Sequence, residues 1–223
     1  MNPFLKLIQT GATAEVADAV ELDPALVEYR DPQGVSALIW AVYSGQPMIR
    51  DFLAARLASH GVALDVFEAA AVGNEARLNA ILKADPSAVK AVSGDGWTPL
   101  HLAAAFGTPA CVCALIERGA RVDVASENVQ KNQPLHAAIA LGKNQETIEI
   151  LLTHGANADA AQVGGFTAIF SAAAANRRDL AELLLHHGAN PHIKNEQGKT
   201  PAIYARERDH AEIADWLESL PTP

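Results

Sequence analysis

Aromatic side chains make up only 5% of this 223-residue chain, and cysteine occurs just twice. A core with few large rings has to be filled by small aliphatic groups, and alanine runs such as 172–175 suit helices packed at close range. Cys111 and Cys113 stand two apart within an expected helix, so they point to different faces. That spacing is poor for a disulfide and leaves a tetrahedral zinc site short of ligands. Both are read as buried or half-buried thiols in a reducing cytoplasm. Positive charge is in deficit: 17 basic residues against 26 acidic ones give a formal charge of −9. This argues against nucleic acid, whose binders need a clustered basic surface, and favours a protein partner with a basic or neutral one. Long apolar runs are missing too. The most apolar window, 166–175, has about half the length of a membrane span, and the N-terminal stretch lacks an uninterrupted signal-peptide core. The chain is therefore expected to be soluble and cytoplasmic, with no membrane contact.

Catalytic signatures are equally scarce. There is no nucleophile elbow, phosphate-cradling glycine loop, CxxC or HExxH. Adjacent His186 and His187, with His192, offer a weak metal motif, because helical neighbours one apart diverge. No enzyme activity, cofactor or metal is expected.

What is present is repetition. Shifting the sequence by 62 residues superposes Gly11 on Gly73, Asp23–Pro24 on Asp85–Pro86, Leu38 on Leu100, Gly45 on Gly107 and Arg56 on Arg118. The finer period is about half of that. Phe4, Leu38, Val66, Leu100, Leu135, Ile169 and Ala202 open successive units, spaced 34, 28, 34, 35, 34 and 33 residues apart. Seven residues after each lies Gly11, Gly45, Gly73, Gly107, Gly142, Asn176 or Asp209, types that tolerate the left-handed backbone at a helix end. Thr98–Pro99, Thr200–Pro201 and Asn2–Pro3 mark helix starts by a capping side chain and a proline. Ser36 and Thr167 keep the cap without the proline, and Gln133–Pro134 keeps the proline with a weaker cap. A second apolar-periodic helix follows each stop, as at Leu78, Ile81 and Leu82 or Leu180, Leu183 and Leu184.

The stretches DGWTPLHLAAAFG at 95–107, QPLHAAIALG with LLTHGANAD, GGFTAIFSAAAAN with LLLHHGANPH, and QGKTPAIYARERD resemble the ankyrin repeat family and cover 95–220. The first three units lack the TPLH histidine, and two have Asp–Pro where the family has Gly–Ala. Their assignment rests on the 62-residue self-match. The expected fold is an all-α solenoid of about seven helix–turn–helix units with short hairpin fingers. It forms a single domain over 1–223, with repeats at 1–30, 31–62, 63–92, 93–125, 126–160, 161–194 and 195–223. One irregularity stands out. Gly61 to Gly73 spans 12 residues where Asp23 to Gly45 spans 22, while Gly45 to Gly61 spans 16. A longer helix and a missing finger between units two and three are expected, breaking the row of fingers there.

The resemblance implies a protein-interaction module, scaffold or adaptor, binding through finger tips and the exposed side of the first helices. The alternatives are a dedicated inhibitor or regulator of one enzyme and a self-associating structural protein; a monomer is expected. It also implies that His101 and His136 hydrogen-bond within and between repeats. Two positions per unit then face a partner. They select Val35, Trp97, Asn132, Phe166 and Lys199 before the caps, and Tyr43, Phe106 and Leu141 before the first-helix stops. Aromatics gathered on one face are common binding hot spots; equally, each ring could pack on the neighbouring finger. On the binding reading, alanine at Trp97 and Phe106 abolishes capture without loss of stability. Asp31, Asp95, Glu127 and Asp159 would add an acidic rim.

Overall fold

The computed structural model describes residues 2–141 and 144–221. Seven first helices alternate along the chain with seven second helices. The first are α1 (Pro3–Thr10), α3 (Ala37–Tyr43), α5 (Val66–Val72), α7 (Pro99–Phe106), α9 (Pro134–Ala140), α11 (Ala168–Ala174) and α13 (Pro201–Arg206). The second are α2 (Thr13–Leu22), α4 (Pro47–Ser59), α6 (Glu75–Ala84), α8 (Pro109–Glu117), α10 (Gln145–Thr153), α12 (Arg178–His186) and α14 (Ala211–Ser219). Each first helix packs on the next; on the outer side α2 contacts α4, and α6, α8 and α10 contact in turn. The result is the expected all-α solenoid. Among the described residues no strand forms, and the fingers carry only the isolated bridges Arg30 with Ser36 and Gln162 with Phe166.

The caps explain where the helices begin. Asn2, Ser36, Thr98 and Thr200 accept from the backbone N–H of Phe4, Ile39, His101 and Ile203. Thr167 does not: its hydroxyl makes no cap bond, which corrects the expectation there. The stops follow the glycine rule with one exception. Gly11, Gly45, Gly73, Asn176 and Asp209 have φ of 74°, 63°, 73°, 53° and 62°. Gly107 has φ −81°, so its expected left-handed backbone is not found. Glycine is needed there for space instead, because a Cβ would run into the Ala70 carbonyl and Ala103. Gly142 lies outside the described residues.

The irregular junction is built as the spacing implies, but its consequence differs. Helix α4 runs 13 residues, and only six separate it from α5, with no finger between them. Helix α5 is capped by its own box, Asp65 Oδ1 accepting from Glu68 N (2.8 Å) and Glu68 Oε2 from Asp65 N (3.0 Å). Arg30, from the preceding finger, reaches both carboxylates at 2.9 and 3.3 Å. The row of fingers is not broken: it closes up. Gly94 sits so near the Gln33 carbonyl that any side chain at 94 would overlap it. Further along, Glu127 N donates to Gly96 O (2.8 Å), Val163 N to Gln130 O (3.2 Å) and Glu196 N to Gly164 O (3.0 Å).

Two apolar cores meet at the same junction. Phe4, Ile8, Leu38, Ile49 and Leu53 belong to one, while Ile39, Val42, Leu100, Leu135, Phe170 and Leu217 belong to the other. Helix α3 feeds both, and half-buried Trp40, Leu64 and Val72 touch both. Among the described residues, no helix is long and apolar enough to cross a membrane.

Candidate functional site

With the finger row closed up, the end of α3 lies beside the finger that precedes α7. Tyr43, the last residue of α3, donates its phenol to Asp95 Oδ2 at 2.6 Å, and Ser93 Oγ donates to the other carboxylate oxygen. Around this bond the rings assemble. Tyr43 lies 6.2 Å from Trp97, 5.5 Å from Phe106 and 6.3 Å from Trp40 between centroids, and Trp97 stacks on Phe106 at 6.3 Å. Tyr43, Asp95, Trp97, Phe106 and Leu141 line an open cleft of about 190 Å³. Burial, then the bond to Asp95, raises the Tyr43 phenol well above its ordinary range, so it stays a neutral donor. Leu141 is 50% exposed, whereas Trp97 is 9% exposed and packs on His101 at 5.6 Å.

The other sequence-selected positions divide. Val35 is buried in the core, and its position on an exposed face is corrected. Trp97 is likewise mostly packing surface, so truncating it will not leave stability unchanged. Asn132 is half-buried, and its carbonyl accepts from His101 Nε2 (2.9 Å). Phe166 lies far along the row against Phe170 (5.4 Å) and Tyr204 (5.2 Å). Lys199 pairs with Glu207 at 2.7 Å. The structure thus brings together Tyr43, Trp97, Phe106 and Leu141. The acidic rim also changes. Asp31 is buried, accepting from the N–H of Gln33 and Val35 and from Trp40 Nε1, each at 2.9 Å. Asp159 accepts from Asn190 N (2.9 Å), while Glu127 remains exposed.

Trp40 and Tyr204 were not among the selected positions. Both stand four residues after a cap, at Ser36 and Thr200, a spacing that would have marked them. The histidines hold the finger row to the first helices. His101 Nδ1 accepts from Thr98 N (3.2 Å) while its Nε2 donates to Asn132 O (2.9 Å). His136 repeats this with Gln133 N (3.1 Å) and Ala160 O (2.9 Å). Burial lowers the pKa of His101 to about 4 and that of His136 in the same direction, keeping both neutral. His192 Nε2 is engaged by the Leu220 carbonyl at 2.9 Å.

A family model for ankyrin repeats, in three copies, matches residues 66–162 and 125–195. The B-cell lymphoma 3 protein homolog of Mus musculus is 33% identical over 114 residues, 51% of this chain and 25% of that protein. The probable E3 ubiquitin-protein ligase XBOS31 of Oryza sativa subsp. japonica is 42% identical over 94 residues, 42% of this chain and 20% of that protein. Ankyrin repeat and SAM domain-containing protein 6 of Rattus norvegicus is 29% identical over 143 residues, 62% of this chain and 15% of that protein. The chain thus spans a quarter or less of each of these relatives.

Proposed function

The chain belongs to the ankyrin-repeat family, and from that premise we propose that it receives a partner protein on the face centred on Tyr43, Phe106 and Leu141. The observation that carries the reading is the aromatic cleft at the closed-up finger, flanked by a leucine that is half exposed. Aromatic groups held rigid beside an exposed aliphatic one supply contact area at little entropic cost. The family is in general an interaction fold, and binding without catalysis is proposed here as well. His101 and His136, the most buried ionisable side chains of the first helices α7 and α9, are both committed to backbone hydrogen bonds. Cys111 and Cys113 are free thiols, both raised in pKa chiefly by burial, and a cytoplasmic setting is proposed.

The test is capture of protein partners by immobilised wild type, Leu141→Arg and Leu22→Arg. Leu22 is 88% exposed at the end of α2, in the outer helix row. Both changes are expected to move stability by no more than about 0.5 kcal/mol, as surface substitutions do. Capture should be lost with Leu141→Arg and retained with Leu22→Arg. Retention by both would overturn the assignment. Trp97→Ala is unsuitable, because emptying that packed position should cost about 3–5 kcal/mol.

A further inference from the structure

We infer that the cleft lined by Tyr43, Asp95, Trp97, Phe106 and Leu141 seats the cationic end of one lysine or arginine side chain of the partner protein. The inference rests on the face assignment above and adds the chemistry of what enters it.

Size is the first consideration. At about 190 Å³ the cleft holds the end of one side chain, whereas sites for whole small molecules run to roughly 300–1,000 Å³. The second is the wall. The centroids of Tyr43, Trp97 and Phe106 form a triangle with sides of 6.2, 5.5 and 6.3 Å. A cation seated above that triangle lies within the roughly 6 Å over which ring quadrupoles attract positive charge. The third is the counter-charge. Asp95 accepts from Tyr43 and Ser93, one bond on each oxygen, and each oxygen keeps a further acceptor site. Because Tyr43 is held as a neutral donor, the cleft carries the single negative charge of Asp95.

The chain's own aromatic clusters show how it treats such rings elsewhere. Arg208 lies 3.6 Å over Tyr204, Arg178 4.6 Å over Trp216 and Arg56 5.2 Å over Phe52. Among the described residues, no arginine or lysine sits over Tyr43, Trp97 or Phe106. Arg30, which lines a neighbouring small cavity with Tyr43 and Asp95, is turned to Asp65 and Glu68. A chain of net charge −9 adds long-range attraction for a basic partner.

The probes are N-acetyl-arginine amide, N-acetyl-lysine amide and the neutral N-acetyl-norleucine amide, titrated into the full chain and followed by NMR. The two cations should shift the Trp97 indole N–H and the amides of Asp95 and Leu141 saturably, with the Trp216 indole as internal control. Norleucine amide should not. Asp95→Asn, which still accepts from Tyr43, should weaken the cations at least tenfold. Phe106→Leu, which keeps apolar bulk and removes the ring, should weaken them several-fold. Equal shifts with norleucine amide, unchanged affinity in Asp95→Asn, or no saturable shift at the cleft would each overturn the inference. If it fails while Leu141→Arg still abolishes capture, the face stands and only its cationic occupant is wrong. If Leu141→Arg also leaves capture intact, the face itself falls.

Discussion

At the scale of residues, the most consequential side chains are the ones that join fingers to helices. His101 is fully buried, and each of its ring nitrogens has a backbone partner. Protonation would turn the Nδ1 acceptor into a donor facing the Thr98 N–H. Burial, assisted by the nearby His136, depresses the folded pKa from 6.5 to about 4. The sign of the pH effect follows. Above pH 6.5 both folded and unfolded chains are neutral at this position. Between 6.5 and about 4 the unfolded chain takes up a proton that the folded chain refuses, so stability falls as pH falls. Each such histidine contributes a slope of up to ~1.4 kcal/mol per pH unit, and His136 acts in the same direction. Urea midpoints should therefore decline from pH 7 to pH 4.5 in the wild type and decline less in His101→Gln. A flat profile would contradict the neutral-histidine assignment. The exposed carboxylates with lowered pKa, Asp85, Asp123 and Asp179, contribute mainly below about pH 4, and the comparison with His101→Gln cancels what overlaps the window.

At the scale of elements, the sequence was legible wherever a local rule acts alone. Capping hydroxyls before Pro99 and Pro201 and the left-handed stops at Gly11, Gly45 and Gly73 are short-range events, and the cap–proline pairs and the unit spacing exposed them. Legibility failed where the cause lies in another element. Gly107 looks like one more helix stop, yet it answers to the Ala70 carbonyl 37 positions away. Val35 and Trp97 stand at positions selected as outward-facing, yet both are buried, Trp97 against Tyr43 of α3. Asp31 reads as a rim acid because its partner, the Trp40 indole, becomes a neighbour only in the folded turn. The two glycines make a direct contrast. Gly45→Ala meets open space but a φ of 63°, and should cost about 1 kcal/mol. Gly107→Ala has an ordinary φ but no room, and should cost ~3 kcal/mol by overpacking. Thermal or urea unfolding of the two variants checks the order, and the reverse order would show that Gly107 serves as a conformational stop.

At the scale of the whole molecule, the missing finger joins three features. It is where two apolar cores meet on opposite sides of α3 and where Arg30 clamps the cap of α5. It is also where the fingers of Gln33 and Gly94 close together, bringing Tyr43 to Asp95 across a separation of 52 residues. An evenly spaced solenoid would hold those rings one repeat further apart. The irregularity therefore builds the cleft, which is the proposed partner surface. The most direct measurement is site-specific photo-crosslinking with p-benzoylphenylalanine in place of Leu141, beside the cleft, or of Leu22, on the outer row. A crosslinked partner is expected at 141 and none at 22. Crosslinking at 22 alone, or a product at 141 with twice the mass of the chain, would contradict the cleft as the partner surface.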